Sequence, residues 1–286
     1  TSTTGKGVDS GQVEDSAVIA YRLACLINCP VVATGEEDYV SDGTRVFAVP
    51  HGHPIMTAVT GTGCLLGAVL AAFFSAYYPC KDRLSIGEFL AYALAYYGLA
   101  GESAVQVSGV KPGSFSTAFM DALYTLDDAV LISENCIRPV VVPDQLQVYF
   151  ISGTQDVELN ENRLLSIVED ACRGGVTCFQ FREKGIGTLE GQKKLELAQQ
   201  LKQICAKYNV LYIINDDVDL AIAVNADGVH VGQEDMRLEE VRNLVGHKVV
   251  GISIHSVAEL HKTDVVYADC VGVGPMYATS SKPDAQ

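Results

Sequence analysis

The sequence lacks a long hydrophobic run and an excess of basic residues. Its longest apolar stretch, Leu65 to Tyr78, is interrupted by glycine and serine and is shorter than the roughly 18 residues that a membrane-spanning helix needs. The formal net charge is −15, whereas binding to nucleic acid or an anionic membrane requires a positive face. We therefore expect no nucleic acid and no membrane as partners. Small phosphorylated molecules remain possible, because local cations, backbone amides or a bridging metal can hold them.

Paired cysteine motifs and a secretory leader are also missing. The nine cysteines form no C-x-x-C pair and lie mostly in apolar runs, which indicates reduced, buried thiols. Cys25 and Cys29 have no matching histidines, so a zinc site is not expected. The first residues show no basic and apolar leader. From these absences we expect a cytoplasmic protein, and the 48% hydrophobic and 19% charged residues indicate a folded chain.

The first part of the chain predicts a mixed α/β domain. A strand is expected at 29–34, followed by a hairpin around Asp42-Gly43. Helical spacing of apolar residues predicts three helices, at about 62–78, 85–107 and 114–126. Beyond these the periodicity fails, and Pro139 and Pro143 predict an extended connector. We expect a first domain at 1–128, a linker at 129–146 and a second domain at 147–286.

The second part alternates short β-branched runs with amphipathic helices, which predicts a parallel sheet with helical crossovers. Both a doubly wound sheet and a (β/α) barrel fit this alternation. Polar residues fall where the strands end, and this favours the barrel. A closed barrel has eight strands, but the sequence predicts six: 148–151, 177–181, 210–214, 228–230, 249–252 and 270–273.

A glycine-rich segment, Thr60 to Gly67, leads into the first predicted helix. Its backbone N–H groups and the positive helix end could hold an anion, although glycines at a helix start also serve packing. Taken with the segments 5–10, 34–40, 42–43 and 52–57, this part of the chain resembles the later half of hydroxyethylthiazole kinase, whose fold is ribokinase-like.

The resemblance implies a role for each matched residue. Thr34 would contact ATP, Gly61 would lie against the thiazole alcohol, and Gly61, Thr62, Gly63 and Cys64 would form an anion hole at the transferring phosphate. Cys64 stands where ribokinase-like enzymes usually carry an aspartate base, or else it is a small residue that packs at a helix start. A thiol with a pKa of about 8.5 is a poor proton acceptor at neutral pH, so we expect positioning and charge stabilisation to carry most of the catalysis.

The second part carries cations and carboxylates at its strand ends. Arg182 and Lys184 could neutralise a diphosphate, and Asp216 and Asp235 could hold Mg²⁺ together with phosphate oxygens. The alternatives are a solvated loop for the cations and a helix cap for Asp216-Asp217. His230 is interpreted as a satisfied histidine at the rim.

Five segments here resemble thiamine-phosphate synthase, a TIM-barrel enzyme: 180–184, 214–217, 227–235, 250–253 and 272–282. The resemblance implies that Asp216 and Asp235 bind Mg²⁺. It implies that pyrophosphate is displaced by the thiazole nitrogen, with Arg182, Lys184 and Lys282 stabilising the leaving group. Hydroxymethylpyrimidine diphosphate would be bound by Gln180, Phe181, Arg182, Glu183, Lys184, Asn215, Ser253 and Lys282, and the thiazole phosphate by Thr279, Ser280 and Ser281.

The sequence thus predicts a fragment of a bifunctional thiamine-salvage enzyme that uses ATP and Mg²⁺. It would join the later part of a ribokinase-like kinase to six of the eight β-α units of a TIM-barrel synthase, so that one half makes a substrate of the other. Its partners would be small-molecule phosphates, and it could form a homo-oligomer. In one alternative only one half is active and the other is regulatory or oligomerising. In another, the fragment binds thiazole or pyrimidine phosphates without catalysis.

Overall fold

A computed structural model of the chain describes residues 16–80, 83–127, 131 and 136–274. These residues form two compact units that divide between Val140 and Val141. Among them, no helix has the length and apolar character needed to cross a membrane.

The first unit contains a four-stranded antiparallel sheet in the order β1 (Val31–Ala33), β2 (Asp38–Ser41), β3 (Val46–Val49) and β4 (Arg138–Val140). The predicted hairpin is confirmed by the pairing of β2 with β3. Its turn forms because the Asp42 carboxylate accepts the amides of Thr44 and Arg45, while Gly43 supplies a positive φ of 86°. The segment predicted as an extended connector contributes β4 at the sheet edge, where Pro139 can lie without removing a ladder hydrogen bond.

The helices of this unit whose bounds lie within the described residues are α1 (Ser16–Ile27), α2 (Thr62–Ser75), α3 (Ile86–Ser108) and α4 (Pro112–Thr125). The three helices predicted from apolar spacing are confirmed, although α2 ends before Tyr78. Ser85 starts α3 by accepting the Glu88 amide at 3.1 Å. The core lies between α3, α4 and the sheet, where Phe115 stacks on Phe119 at 5.4 Å between ring centroids.

The second unit is a curled parallel sheet of six strands, β5 to β10, connected by helices α5 to α9. The strands lie side by side in chain order. A doubly wound sheet reverses its order at a switch point, so the sequential order excludes that alternative for the described strands. In chain order the elements are β5 (Tyr149–Ser152), α5 (Glu161–Arg173), β6 (Cys178–Phe181), α6 (Gly191–Lys207), β7 (Leu211–Asn215), α7 (Val218–Ala223), β8 (Gly228–Val231), α8 (Leu238–Val245), β9 (Val249–Ile254), α9 (Val257–Lys262) and β10 (Cys270–Val273).

Alternate residues of these strands face different layers, as the period of two in a strand requires. One face packs on the helices and includes Phe179, Phe181, Tyr212, Ile214, Val229, Val231, Val250, Ile252 and Ile254. The other face carries a smaller apolar cluster of Cys178, Leu211, Ile213 and Val249, which the segment containing Val141 and Leu146 covers. The same alternation brings Gln180, Asn215, His230 and Ser253 to this second face, nearer the C-terminal ends of the strands.

Candidate functional site

Asp216 follows β7 and points its carboxylate into a charged cluster. Its backbone is left-handed, with φ at 61°, and its amide donates to the His230 carbonyl at 2.9 Å. Lys184 Nζ lies 2.9 Å from Asp216 Oδ2. Burial raises the pKa of Asp216, Lys184 opposes this rise and the neighbouring Asp235 carboxylate adds to it. The hydrogen bond to Asp216 in turn raises the pKa of Lys184.

Asp217, the next residue, has a different task. Its Oδ1 accepts the Leu220 amide at 3.0 Å and so caps α7, while its Oδ2 lies 2.7 Å from Lys194 Nζ. Burial raises its pKa, but Lys194 and the Leu220 amide together outweigh burial and leave the pKa lowered. The helix-cap alternative therefore describes Asp217, and Asp216 is left for the cluster.

Asp235 approaches the cluster from the loop after β8. Its Oδ2 accepts the Gly232 amide at 2.8 Å, which fixes the carboxylate. Two neighbouring carboxylates with a cation beside them suit Mg²⁺, which is commonly bound by one or two carboxylates while substrate phosphates and water complete its shell. No cluster of three or more His, Cys, Asp or Glu side chains occurs among the described residues. Two carboxylates would supply part of the shell of such an ion and leave its other positions to water or to a bound anion.

The segment after β6 holds its side chains in three different ways. Gln180 is buried, and its amide donates to the Tyr149 hydroxyl at 2.9 Å. Phe181 faces the opposite way, into the core beneath the helices. The Glu183 carboxylate accepts the Leu189 amide at 2.8 Å, the Thr154 amide at 2.9 Å and the Thr154 hydroxyl. These contacts give Phe181 a packing role and commit Glu183 to holding the loop.

Arg182 and Lys184 flank Glu183 and bring positive charge to the cluster. The two are close enough for the charge of Arg182 to act against protonation of Lys184. Gly153 allows the Arg182 backbone to approach, because a Cβ at that position would lie 2.0 Å from the Arg182 carbonyl oxygen. The loop after β5 and the loop after β6 are therefore locked together beside the carboxylates.

Asn215 is the last residue of β7 and Ser253 is near the end of β9, and β8 lies between these two strands. Asn215 is in register with His230 on the next strand. The Ser253 hydroxyl is 2.9 Å from His230 Nε2, and its carbonyl accepts the Gln233 amide at 2.7 Å. Two residues of the predicted pyrimidine site, Asn215 and Ser253, thus lie on the strands that flank His230 on either side.

Four predicted site residues, Thr279, Ser280, Ser281 and Lys282, lie outside the described residues, as does the segment 5–10.

In the first unit, the candidate anion site is the start of α2. Gly61 is left-handed, with φ at 100°, and no atom lies within 4 Å of the position that a Cβ would take there. The Thr62 hydroxyl turns away to the Met56 carbonyl at 2.7 Å, so it supports the turn. Cys64 is exposed. Gly63 and Cys64 lie in the first turn, where backbone N–H groups lack intrahelical partners and the helix dipole favours an anion.

Thr34 is exposed immediately after β1. The turn that follows it is closed by the Gly35 amide, which donates to Asp38 Oδ1 at 2.8 Å. Burial raises the pKa of Asp38 to about 6 in spite of this hydrogen bond. The candidate ATP contact therefore adjoins a carboxyl group that changes charge near neutral pH.

Sequence reasoning interpreted His230 as a satisfied rim histidine, and the structure places its ring beside Ser253, a predicted site residue. His230 lies on the same strand face as Gly228, two residues before it, and across from glycines on the next two strands. Two features of the sequence could have indicated this. The period of two places His230 on the same face as the other polar strand residues, and Gly251 and Gly272 mark a place where another group approaches the strand closely. Thr154 and Lys194, which hold Glu183 and Asp217, had no such signal because their partners are distant in sequence.

Comparison with known proteins finds two families in succession. Residues 1–129 match the hydroxyethylthiazole kinase family, and residues 148–286 match the thiamine monophosphate synthase family. Thiamine-phosphate synthase 1 of Streptococcus pneumoniae serotype 4 is 52% identical over 140 residues, which are 49% of this chain and 66% of the relative. The thiamine-phosphate synthase of Geobacillus thermodenitrificans is 49% identical over 142 residues, or 50% of this chain and 63% of the relative.

One relative matches nearly the whole chain. The thiamine biosynthesis bifunctional protein ThiM/ThiE of Symbiobacterium thermophilum is 36% identical over 282 residues, which are 96% of this chain and 55% of the relative. The chain thus spans between about half and two thirds of the length of these curated relatives. It combines a segment of the hydroxyethylthiazole kinase family with a segment of the thiamine monophosphate synthase family.

Proposed function

We propose that the second unit couples hydroxymethylpyrimidine diphosphate to thiazole phosphate and releases pyrophosphate. The observation that carries this proposal is the cluster in which Lys184 lies 2.9 Å from Asp216 and the neighbouring Asp235 carboxylate acts on the same group. Burial and Asp235 raise the pKa of Asp216, so a cation bound beside the two carboxylates would favour their charged forms.

Each charged residue has a place in this reaction. Asp216 and Asp235 would hold Mg²⁺, which when bound supplies positive charge to the diphosphate oxygens. Lys184 can then turn from Asp216 to the diphosphate, and Arg182 binds it from the same loop. Together they stabilise the negative charge that develops on the departing pyrophosphate. Lys282 is proposed to join them.

The uncharged residues orient the two rings. Gln180, Asn215 and Ser253 line the sheet face that leads to the cluster and are proposed to bind the pyrimidine. The backbone around Phe181 and Glu183 would set the distance of Arg182 and Lys184 from it. Thr279, Ser280 and Ser281 are proposed to hold the thiazole phosphate. Bringing the thiazole nitrogen to the pyrimidine methylene in a fixed orientation lowers the entropic part of the barrier.

We further propose that the first unit is part of a ribokinase-like domain that phosphorylates hydroxyethylthiazole with ATP, with Thr34 at the nucleotide. Gly61, Thr62, Gly63 and Cys64 at the start of α2 would surround the transferring phosphate, mainly through backbone N–H groups. The second unit would be six of the eight β-α units of a TIM barrel. The bounds 1–128, 129–146 and 147–286 remain a prediction.

Neighbouring aspartates offer a matched test of the synthase proposal. Asp216→Asn removes a carboxylate from the cluster. Asp217→Asn makes the same chemical change at the next residue, outside the cluster, and asparagine still caps α7. We expect Mg²⁺-dependent pyrophosphate release by the full chain to fall about 100-fold in Asp216→Asn and by less than about 3-fold in Asp217→Asn. Turnover of Asp216→Asn equal to that of the unsubstituted chain would remove the metal assignment.

Two further measurements separate the alternatives. ATP-dependent phosphorylation of hydroxyethylthiazole tests the first unit independently of the second. Binding of the pyrimidine diphosphate without any pyrophosphate release would instead favour a fragment that binds its ligands but does not catalyse.

A further inference from the structure

We propose that His230 is a positioning residue that aims the Ser253 hydroxyl at the pyrimidine. This inference rests on the proposed synthase function and adds a specificity-determining residue to it. His230 lies on β8 and Ser253 on β9, and the His230 Nε2 atom is 2.9 Å from Ser253 Oγ. The hydrogen bond crosses from one strand to the next on the face that carries Gln180 and Asn215.

Two glycines leave room for the imidazole ring. A Cβ on Gly251 would lie 2.4 Å from His230 Nδ1, closer than real contacts allow, and a Cβ on Gly272 would lie 3.2 Å from His230 Cε1. Gly251 is the residue in register with His230 on the neighbouring strand, and Gly272 is in register with Ser253. The ring therefore fills space that side chains from β9 and β10 would otherwise occupy, so a methyl group at either position would displace it.

The backbone of Ser253 is fixed separately. Gln233 donates its amide to the Ser253 carbonyl at 2.7 Å, and Gln233 Oε1 accepts the Thr263 hydroxyl at 3.0 Å. With its backbone held, Ser253 keeps only the choice among three staggered side-chain rotamers. The hydrogen bond between His230 Nε2 and the Ser253 hydroxyl selects one of them.

This arrangement connects the metal residues to the pyrimidine residues. His230, Gln233 and Asp235 lie within one strand end and the loop that follows it. Asp235 faces the charged cluster, while His230 and Gln233 hold the hydroxyl and the carbonyl of Ser253. Because His230 acts through Ser253, its loss should weaken binding of the pyrimidine substrate and leave the chemical step nearly unchanged.

A double-mutant cycle on the full chain tests this role. His230→Leu keeps the bulk but removes the ring nitrogens, whereas His230→Gln places an amide near the position of Nε2. We expect His230→Leu to raise the KM for the pyrimidine diphosphate about 5- to 10-fold, as loss of one hydrogen bond predicts, with kcat changed less than about 2-fold. His230→Gln should recover most of the KM, and His230→Leu should add little to Ser253→Ala.

Glycine substitutions give an independent readout. Gly251→Ala should displace the ring and raise the KM as His230→Leu does, while Gly272→Ala should have a smaller effect because its contact is longer. Gly113→Ala in the first unit is the control, because a Cβ there would meet nothing within 4 Å. It should leave the KM for the pyrimidine diphosphate unchanged. Thermal melts of each variant verify that the second unit remains folded.

The outcomes distinguish this role from the proposed function. Additive losses in His230→Leu and Ser253→Ala, or a fall in kcat at constant KM, would overturn the positioning role while the synthase reaction stands. If the unsubstituted chain binds the pyrimidine diphosphate without turnover, the same cycle is measured on Kd with the same expected ratios. If it neither turns over nor binds that substrate, the proposed function fails and the positioning role fails with it.

Discussion

The two units present their candidate sites in contrasting ways. In the second unit, charged side chains converge on one place and are held there by specific partners, as Lys184 is by Asp216. In the first unit, the candidate anion site consists mainly of backbone at Gly61 and Gly63, and its one reactive side chain, Cys64, is exposed. Substitutions should therefore damage the second site through lost side chains and the first through altered backbone geometry.

The helices of the two units also differ in how closely apolar sequence corresponds to burial. The α5 helix of the second unit buries one stripe, formed by Leu164, Val168 and Cys172, and exposes the rest. The α2 helix of the first unit is apolar along most of its length but buries only Leu66. Amphipathic spacing thus predicts burial well where polar residues mark the outer face. It gives no such guidance for α2.

The largest contrast is expected between two site glycines. Gly153→Ala would bring a Cβ 2.0 Å from the Arg182 carbonyl oxygen, whereas Gly61→Ala has open space around it. We expect Gly153→Ala to lower the free energy of unfolding by about 3 kcal/mol and Gly61→Ala by about 1 kcal/mol through its positive φ. Urea denaturation followed by circular dichroism measures both, and equal losses would contradict the close approach.

A smaller effect is expected from Glu183, whose carboxylate joins two loops. Glu183→Gln weakens hydrogen bonds to a charged group from Thr154 and Leu189, which should cost about 2 kcal/mol. Glu190→Gln is the matched control, because Glu190 makes no side-chain cap bond at the start of α6. The measurement is the free energy of unfolding of each variant in urea, compared with that of the unsubstituted chain. If Glu190→Gln lowers the free energy of unfolding more than Glu183→Gln does, the loop contacts of Glu183 do not contribute the stability expected of them.

Asp38 in the first unit should make stability depend on pH. Burial raises its pKa from 3.8 to about 6, so its stabilising contribution is complete below about pH 4 and is lost as the pH rises through 6. Asp38→Asn removes this loss and should make the chain up to about 3 kcal/mol more stable than the unsubstituted chain at pH 7, with little difference at pH 4. The free energy of unfolding is measured at pH 4 and pH 7, with Asp121→Asn at an exposed position as control. A variant less stable than the unsubstituted chain at pH 7 would contradict the raised pKa of Asp38.

The smallest effect is expected at Cys64. If backbone groups carry the phosphoryl transfer, Cys64→Asp should keep or raise hydroxyethylthiazole phosphorylation, because a carboxylate with a pKa near 3.9 accepts a proton better at neutral pH than a thiol does. The exposed Cys29→Asp is a surface control. Loss of phosphorylation in Cys64→Asp alone would mean that the thiol has a specific role.

Local patterns in the sequence predict most of the elements. The six β-branched runs of the second part became six parallel strands in sequential order, because each run is short, apolar and bounded by turn residues. Long-range pairing was harder to anticipate. Strand β4 joins β3 across about ninety residues of intervening chain, and nothing local to Pro139 identifies that partner. Helix α1 was not predicted.

The sites show the same division. The motifs brought Lys184, Asp216 and Asp235 to attention, and the structure brings them together. The family resemblance assigned Mg²⁺ to Asp216, but the residue pattern alone left both Asp216 and Asp217 as possible helix caps, since both follow the same strand. The left-handed backbone at Asp216 makes that distinction. Alternation could have separated Phe181 from Gln180, since adjacent strand residues face opposite sides.

That alternation has a practical consequence for redesign. Along β6 to β9 the positions on the face of Gln180, Asn215 and Ser253 are interleaved one by one with the positions that pack on the helices. A library that varies only Gln180, Asn215 and Ser253 would sample new side chains near the strand ends and leave both apolar clusters intact. Shifting the same library by a single position would instead collect unfolded chains.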